Sequence, residues 1–295
     1  SPLAGGDGDK LTASQIKARL DRELVGNVSL RVLPTERPEV WEVQGRGELA
    51  LAVLIETMRR EGFELTIGRP RVLTRQNPET GEREEPMEEV LVDVDEPYTG
   101  VVVEKISRRK GQLQDMRPSG GGKVRLTFTM PSRGLIGYHG EFLTDTRGTG
   151  IMNRLFAGYG PWAGPIEGRR NGSLISNSDG EAIHYSLFYL QERGVLFVDP
   201  GDKVYLGMIL GEHSRGSDLD VNPIKEKKLT NIRAAGKDDA MLLVPPRRMS
   251  LEQAIAYIED DELVEVTPSA VRLRKRYLDP HERKRSERKA DDQAA

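Results

Sequence analysis

The stretch EEVLVDVDEPYTGVVVEKISRRKGQLQDM, Glu88–Met116, decides how the middle of this chain is read. EEVLVDVDE is predicted as a strand, and the region from Val101 to Lys110 as a helix closed by Gly111. QLQDM and KVRLTFTM follow as a strand pair around PSGGG, whose glycines suit a tight turn. The segment after Pro131 is expected to be helical in part, and GIMNRLFAGY closes the block as a strand. The order is βαββαβ, the rhythm of a split-βαβ, ferredoxin-like domain.

A similar rhythm precedes it. Thr12 and Gln15 have capping-box spacing, Ile16, Leu20 and Leu24 repeat at helical intervals, and Gly26 can end that helix. VSLRVL alternates up to Pro34, and VWEVQ is a second strand. In GRGELALAVLIETMRREG, Leu51, Leu54, Ile55 and Met58 fall on one helical face, with Gly62 past the end. FELTIG alternates again as a strand, and NPETGEREEP reads as a hairpin tip or a connection between domains.

From about Pro165 the texture changes to short apolar runs, GSLIS, AIHYSLFYL, GVLFV and KVYLGMILG, separated by Gly, Asn, Asp and Pro. They are read as strands of a barrel or sandwich. One helix interrupts them, with Ser250 and Gln253 as a capping box. LVEVTPSAVRLRKRYL gives a final strand or two. The tail DPHERKRSERKADDQAA is too charged to pack and is predicted to be disordered. The fold class is therefore α+β: two ferredoxin-like blocks, residues 1–84 and 85–163, then a mainly β domain, 164–278, and a tail, 279–295.

Composition narrows the function. With no cysteine, the chain can hold neither a disulfide framework nor a thiolate site. No apolar run reaches the roughly 18–20 residues of a membrane span, and no signal-peptide pattern opens the chain. The first residue is Ser1, so the N-terminus reads as a cut within a longer protein.

Catalytic and nucleotide motifs fail one by one. GRGELA has Ala50 where a dinucleotide loop needs its third glycine, GGDGDKL lacks the ending of a phosphate loop, and DTRG is a four-residue coincidence. SDLDVN offers Asp218, Asp220 and Asn222 at calcium-loop spacing, but Pro223 and Leu229 stand where Gly and Glu belong. Of the histidines His139, His184, His213 and His281, no pair has zinc-helix spacing. His184 is read as a structural residue in a strand, and His139, beside Tyr138 on a Gly-rich helix, as a possible RNA contact. No acid, base and nucleophile come together, and neither metal nor cofactor is expected in this chain.

Clustered positive charge remains, in a chain of net charge −3. KEKKLTNIRAAGKDDA carries Lys225, Lys227, Lys228, Arg233 and Lys237 around a small turn, between apolar strand-like runs. Further clusters are Arg108-Arg109-Lys110 at a helix end, Arg169-Arg170 at a loop, and Arg272, Arg274, Lys275 and Arg276 before the tail. Each alone reads as a solvated face. Spread over three domains, they favour a polyanion, which rewards such cations through counterion release.

LRVLPTERPEVWEVQGRGELALAVLIETMRREGFEL resembles domain III of translational GTPases of the elongation factor G type. The Glu88–Met116 stretch, with VRLTFTMPSRGLIGYHGEFLTDTRGTGIMNRLFAGY, resembles their domain V. RNGSLISN, LGEHSRGSDLDVN, KLTNIRAAGKDDA and SLEQAIAYIEDDELVEVTPSAVRLRKRYL are similar to the C-terminal domain of the TypA/BipA family. The likeness implies an upstream GTPase domain holding GTP and Mg, and a first strand of the domain III-like block lying before SPLAG. Without that strand, its neighbours should keep unpaired edges or recruit a substitute. It further implies a cytoplasmic monomer with the ribosome as partner, through ribosomal RNA, A-site tRNA and ribosomal proteins, in stress adaptation and ribosome assembly. Lys225, Lys227, Lys228, Asn231, Arg233 and Lys237 would then be the RNA contacts of the C-terminal domain. The family's GRGELH reads GRGELA here, with Ala50 for His, a change that favours the helix.

Overall fold

The computed structural model describes residues 1–226 and 242–294. They form two compact units, one of Ser1–Arg69 with Arg169–Ala295, the other of Pro70–Gly168. The architecture is α+β, with several sheets and helices.

The first unit begins with α1 (Ala13–Gly26), β1 (Arg31–Pro34), β2 (Trp41–Gln44), α2 (Glu48–Arg60) and β3 (Leu65–Gly68). Thr12 caps α1 reciprocally with Gln15, as its spacing predicts. β1 and β2 form a two-stranded antiparallel sheet, and β3 joins neither of them.

The second unit runs β4 (Arg75–Gln76), β5 (Arg83–Asp95), α3 (Thr99–Arg108), β6 (Gln112–Gly120), β7 (Lys123–Pro131), α4 (Tyr138–Asp145) and β8 (Ile151–Pro161). Its sheet has the order β4-β5-β7-β6, with β8 on β5, every pair antiparallel. Residues after Pro70 belong here, ahead of the boundary read at residue 84, because Arg75 and Gln76 pair with β5 across the turn at Asn77–Gly81. On one sheet face, Val90, Val92 and Val94 meet Leu126, Phe128 and Met130. The apolar sides of α3 and α4 (Val102, Ile106, Tyr138, Phe142) close over them. Alternation at period two supplies that face from β5 and β7, and helical spacing supplies its cover.

The chain then returns to the first unit with β9 (Ser173–Ser176), β10 (Gly180–Glu181), α5 (His184–Leu190), β11 (Gly194–Leu196), β12 (Lys203–Val204), β13 (Met208–His213) and β14 (Leu219–Val221). After the undescribed residues come α6 (Leu251–Tyr257), β15 (Glu262–Val266), β16 (Val271–Lys275) and α7 (Pro280–Ala294). A seven-stranded sheet runs β14-β9-β13-β16-β15-β3, with β11 also on β13. Its far edge is β3 of the N-terminal block, whose Leu65 and Ile67 lie opposite Val266 and Val264. Within residues 1–69, β1 and β2 pair with each other, while β3 belongs to the sheet of the C-terminal residues. α2 is shared in the same way: Leu54 and Met58 pack with Leu20, Leu30 and Phe63, and Ala52 packs with Ala254, Ile255 and Ile258 beside α6.

Two elements differ from the sequence reading. AIHYSLFYL is helical, with His184 opening α5, and not a strand. Its short apolar and aromatic run suits a strand or a helix, yet Ser186 and Leu187 turn inward together and the Ser186 hydroxyl donates to the Asn222 carbonyl at 2.5 Å. Residues 280–294 form α7 instead of a disordered tail. The Asp279 carboxylate accepts from the His281 and Glu282 backbone N–H groups, capping the helix, and Arg283 pairs with Asp220 at 2.5 Å.

Phe128 is fully buried in the second unit. Phe128→Ala should destabilise that unit by about 3–5 kcal/mol. Hydrogen exchange followed by mass spectrometry should show protection falling in peptides of residues 70–168 and staying unchanged in β13, β15 and β16. A uniform loss over the whole chain would contradict the division into two units.

Candidate nucleic-acid interface

The cationic residues picked out by sequence separate by their burial and their partners. Lys225 is exposed, at the end of the described segment, whereas Lys227, Lys228, Asn231, Arg233 and Lys237 lie outside the described residues. Arg108 is exposed and pairs with Glu104 one helical turn back at 2.5 Å, an i,i+4 pair worth little in water. Lys110 is exposed, at a positive φ of 68° just past α3, and His139 is exposed on α4. Arg170 and Arg276 are exposed as well.

Arg109 points inward. Its guanidinium donates to the Gly134 and Ile136 carbonyls and to Glu141, and lies 5.1 Å from the Tyr138 ring centroid. It ties the end of α3 to the start of α4. Arg272 and Arg274 flank the buried Glu265 at 3.4 Å each. These three are structural cations first.

Arg169 and Lys275 correct the sequence reading most sharply, because they form a buried network. Arg169 holds Glu262 through two bonds of 2.9 and 3.0 Å, donates to Ser173 and to the Asn171 carbonyl, and stacks 4.2 Å from the Tyr257 ring. Lys275, 3% exposed, meets Asp218 and Asp261 at 2.7 Å and Glu262 at 3.1 Å. Glu259 accepts both the Arg169 backbone N–H and the Arg69 guanidinium, at 2.6 and 2.9 Å. In this conformation neither Arg169 nor Lys275 can offer its charge to an outside ligand. Sequence could not show it, because their carboxylate partners lie up to about ninety positions away, Glu262 being 93 from Arg169.

Burial acts to raise the Glu262 carboxyl. The hydrogen bonds from Arg169 and the charge of Lys275 outweigh it and hold the group at about 2. Burial likewise acts to lower Lys275, and the carboxylates of Glu262, Asp218 and Asp261 outweigh it, so the amine stays above its ordinary value. Since the folded Glu262 pKa is depressed, its stabilisation is complete above an unfolded value near 4.5 and is lost as pH falls toward 2. Urea unfolding of the first unit should therefore lose roughly 3 kcal/mol across that window from this group, and Glu262→Gln should flatten the dependence there. Lys275→Met should destabilise by about 1–3 kcal/mol at neutral pH, since Glu262 loses one of its two cations while keeping Arg169, and Asp218 and Asp261 turn to water. A Glu262→Gln variant with the parent's pH dependence would show that the network does not act as described.

Sequence reasoning missed two exposed arginines, Arg193 at the end of a short 3-10 turn and Arg215 in the turn Ser214–Ser217. Each directly precedes a glycine, Gly194 and Gly216, a signal that was available. Among the described residues, no group of three His, Asp or Glu side chains could hold a metal ion, and no helix is long and apolar enough to cross a membrane.

Residues 82–170 match the profile of the elongation factor G C-terminus, and residues 171–280 that of the TypA/BipA C-terminal domain. Proteins called large ribosomal subunit assembly factor BipA are similar along nearly the whole chain. The Haemophilus influenzae protein is 52% identical over 289 residues, 98% of this chain and 47% of the relative. The Salmonella typhimurium protein is 51% identical over 289 residues, with the same 98% and 47% covered. The Bacillus subtilis protein is 49% identical over 290 residues, again 98% of this chain and 47% of its own length. The chain thus spans about half the length of the curated relatives it matches. Residues 171–280 thus belong to the TypA/BipA C-terminal domain family.

Proposed function

We propose that this chain is the ribosome- and RNA-binding part of a translational GTPase that works at the factor-binding site beside the A site, in stress adaptation and ribosome assembly. The observation that carries the reading is identity of 49–52% over 98% of the chain to proteins named as large ribosomal subunit assembly factors. GTP and Mg would be held elsewhere in the whole protein. The chain itself would be non-catalytic, monomeric and cytoplasmic, with ribosomal RNA, A-site tRNA and ribosomal proteins as partners.

In this reading, residues 1–69 correspond to the domain III-like block and the Pro70–Gly168 unit to the domain V-like block. The β5-α3-β6-β7-α4-β8 order of that unit, with strands in the order β8-β5-β7-β6, supports a ferredoxin-like label. The rest, from residue 169, is the family-specific domain. Lys225, Lys227, Lys228, Arg233 and Lys237 would meet phosphates, and Asn231 a ribose or base edge. Exposure of Lys110, His139, Arg170 and Arg276 supports them as secondary contacts.

The test is ribosome co-sedimentation over a salt series. The parent chain should bind with an affinity that falls steeply with salt. Alanine at Lys227, Lys228 and Arg233 together should lower the log–log salt slope by roughly 2–3, with no change in the melting temperature. Nuclease treatment should abolish the association. Association that survives nuclease, or an unchanged slope in the variant, would point to docking on a ribosomal protein or an assembly factor instead.

A further inference from the structure

Arg170, Arg193 and Arg215 lie far apart in sequence, on three turns that the fold ties together. The Ser214 N–H donates to the Arg193 carbonyl, and the Gly172 N–H to the Arg215 carbonyl, both at 2.8 Å. The His213 N–H returns to the Gly172 carbonyl at 2.8 Å, and its buried ring braces the turn through Nδ1 and the Ser217 carbonyl. The packing leaves no room at the glycines. A Cβ on Gly194 would stand 1.9 Å from the Glu212 carbonyl oxygen, and one on Gly172 2.3 Å from the Ser217 backbone. Next to Arg170, the Arg169 side chain is locked on Glu262. The three arginines are thus carried on backbone that cannot drift apart.

All three are exposed, and among the described residues none has a carboxylate partner for its guanidinium. Elsewhere in the same unit Arg169, Arg247, Arg272, Arg274 and Arg283 are each paired. Three permanent charges brought together without counter-ions repel one another, and a fold that holds them there leaves room for an anion with several charges.

We infer that this edge is a second RNA-backbone site, in which the three guanidinium forks take successive phosphates. The inference rests on the reading above that the chain binds ribosomal RNA, and adds three residues that lie outside the Lys225–Ala240 stretch in sequence. Guanidinium forks match phosphate oxygens bidentately, which suits them better than lysines to a fixed site. Besides Gln191 and the exposed Glu192, the three turns present Gly, Ser and Asn, with none of the aromatic anchors found at the centre of a protein interface. The braced backbone sets the spacing before the ligand arrives, so less ordering accompanies binding.

The test uses the whole chain and a fluorescein-labelled double-helical RNA hairpin, with binding read by anisotropy between low and moderate salt. Arg170→Ala, Arg193→Ala and Arg215→Ala together should weaken binding about tenfold or more at low salt and lower the log–log salt slope by roughly 2–3. Lysine at the same positions, which keeps the charge and guards against misfolding, should retain most of the slope with weaker binding. Parent-like affinity and slope in the alanine variant would overturn the inference. So would an unchanged RNA slope with lost binding of a labelled polyglutamate peptide, which would make the edge a protein site. If the Lys227, Lys228 and Arg233 variant loses ribosome binding while the arginine variant does not, this inference alone falls. If the parent binds neither hairpin nor ribosome, both fall.

Discussion

The carboxylate of Glu262, fully buried between Arg169 and Lys275, is the constraint on which the larger unit depends. Two cations and one anion taken out of water are tolerable only when each finds its partners, and Ser173, Asp218 and Asp261 complete the set. The network joins the start of β9, the turn before β14 and the adjacent ends of β15 and β16. Strand order across the middle of the seven-stranded sheet is thus reinforced by charge as well as by the ladder. The same contacts stiffen the backbone that carries Arg170.

Electrostatics and topology also meet at the N-terminal residues. The Glu64 carboxylate, 8% exposed, accepts backbone N–H groups from Gly5, Asp7 and Gly8, and Asp7 in turn accepts from Ser269. Together with the β3–β15 pairing and the shared face of α2, these bonds merge two blocks that sequence alone presents as separate domains. A composite core of this kind buries more apolar surface than either block could alone.

Local chemistry was legible in the sequence, and partner choice was not. The capping boxes at Thr12/Gln15 and Ser250/Gln253, the face of α2, and the strand–helix–strand order around Glu88–Met116 all rest on interactions within a few residues, and all are present. α5 was misread because a seven-residue apolar and aromatic segment satisfies either period, and contact with Asn222 decides it. α7 was missed because its stabilising pair, Arg283 with Asp220, spans 63 positions. The candidate site followed the same division. Clusters of positive charge were visible, but whether an arginine faces water or a carboxylate is set by tertiary neighbours: Arg169 and Arg170 are adjacent and have opposite roles. Arg193 and Arg215 escaped notice because each stands alone in sequence.

The hold that Glu259 has on both Arg69 and Arg169 has a topological consequence. The backbone leaves the larger body at the first of these residues and re-enters it at the second, and one side chain grips both points. The intervening hundred or so residues are therefore an inserted cassette, with its two roots side by side. A short glycine bridge from one root to the other should let the remaining body be produced by itself, since excision removes no strand from the seven-stranded sheet.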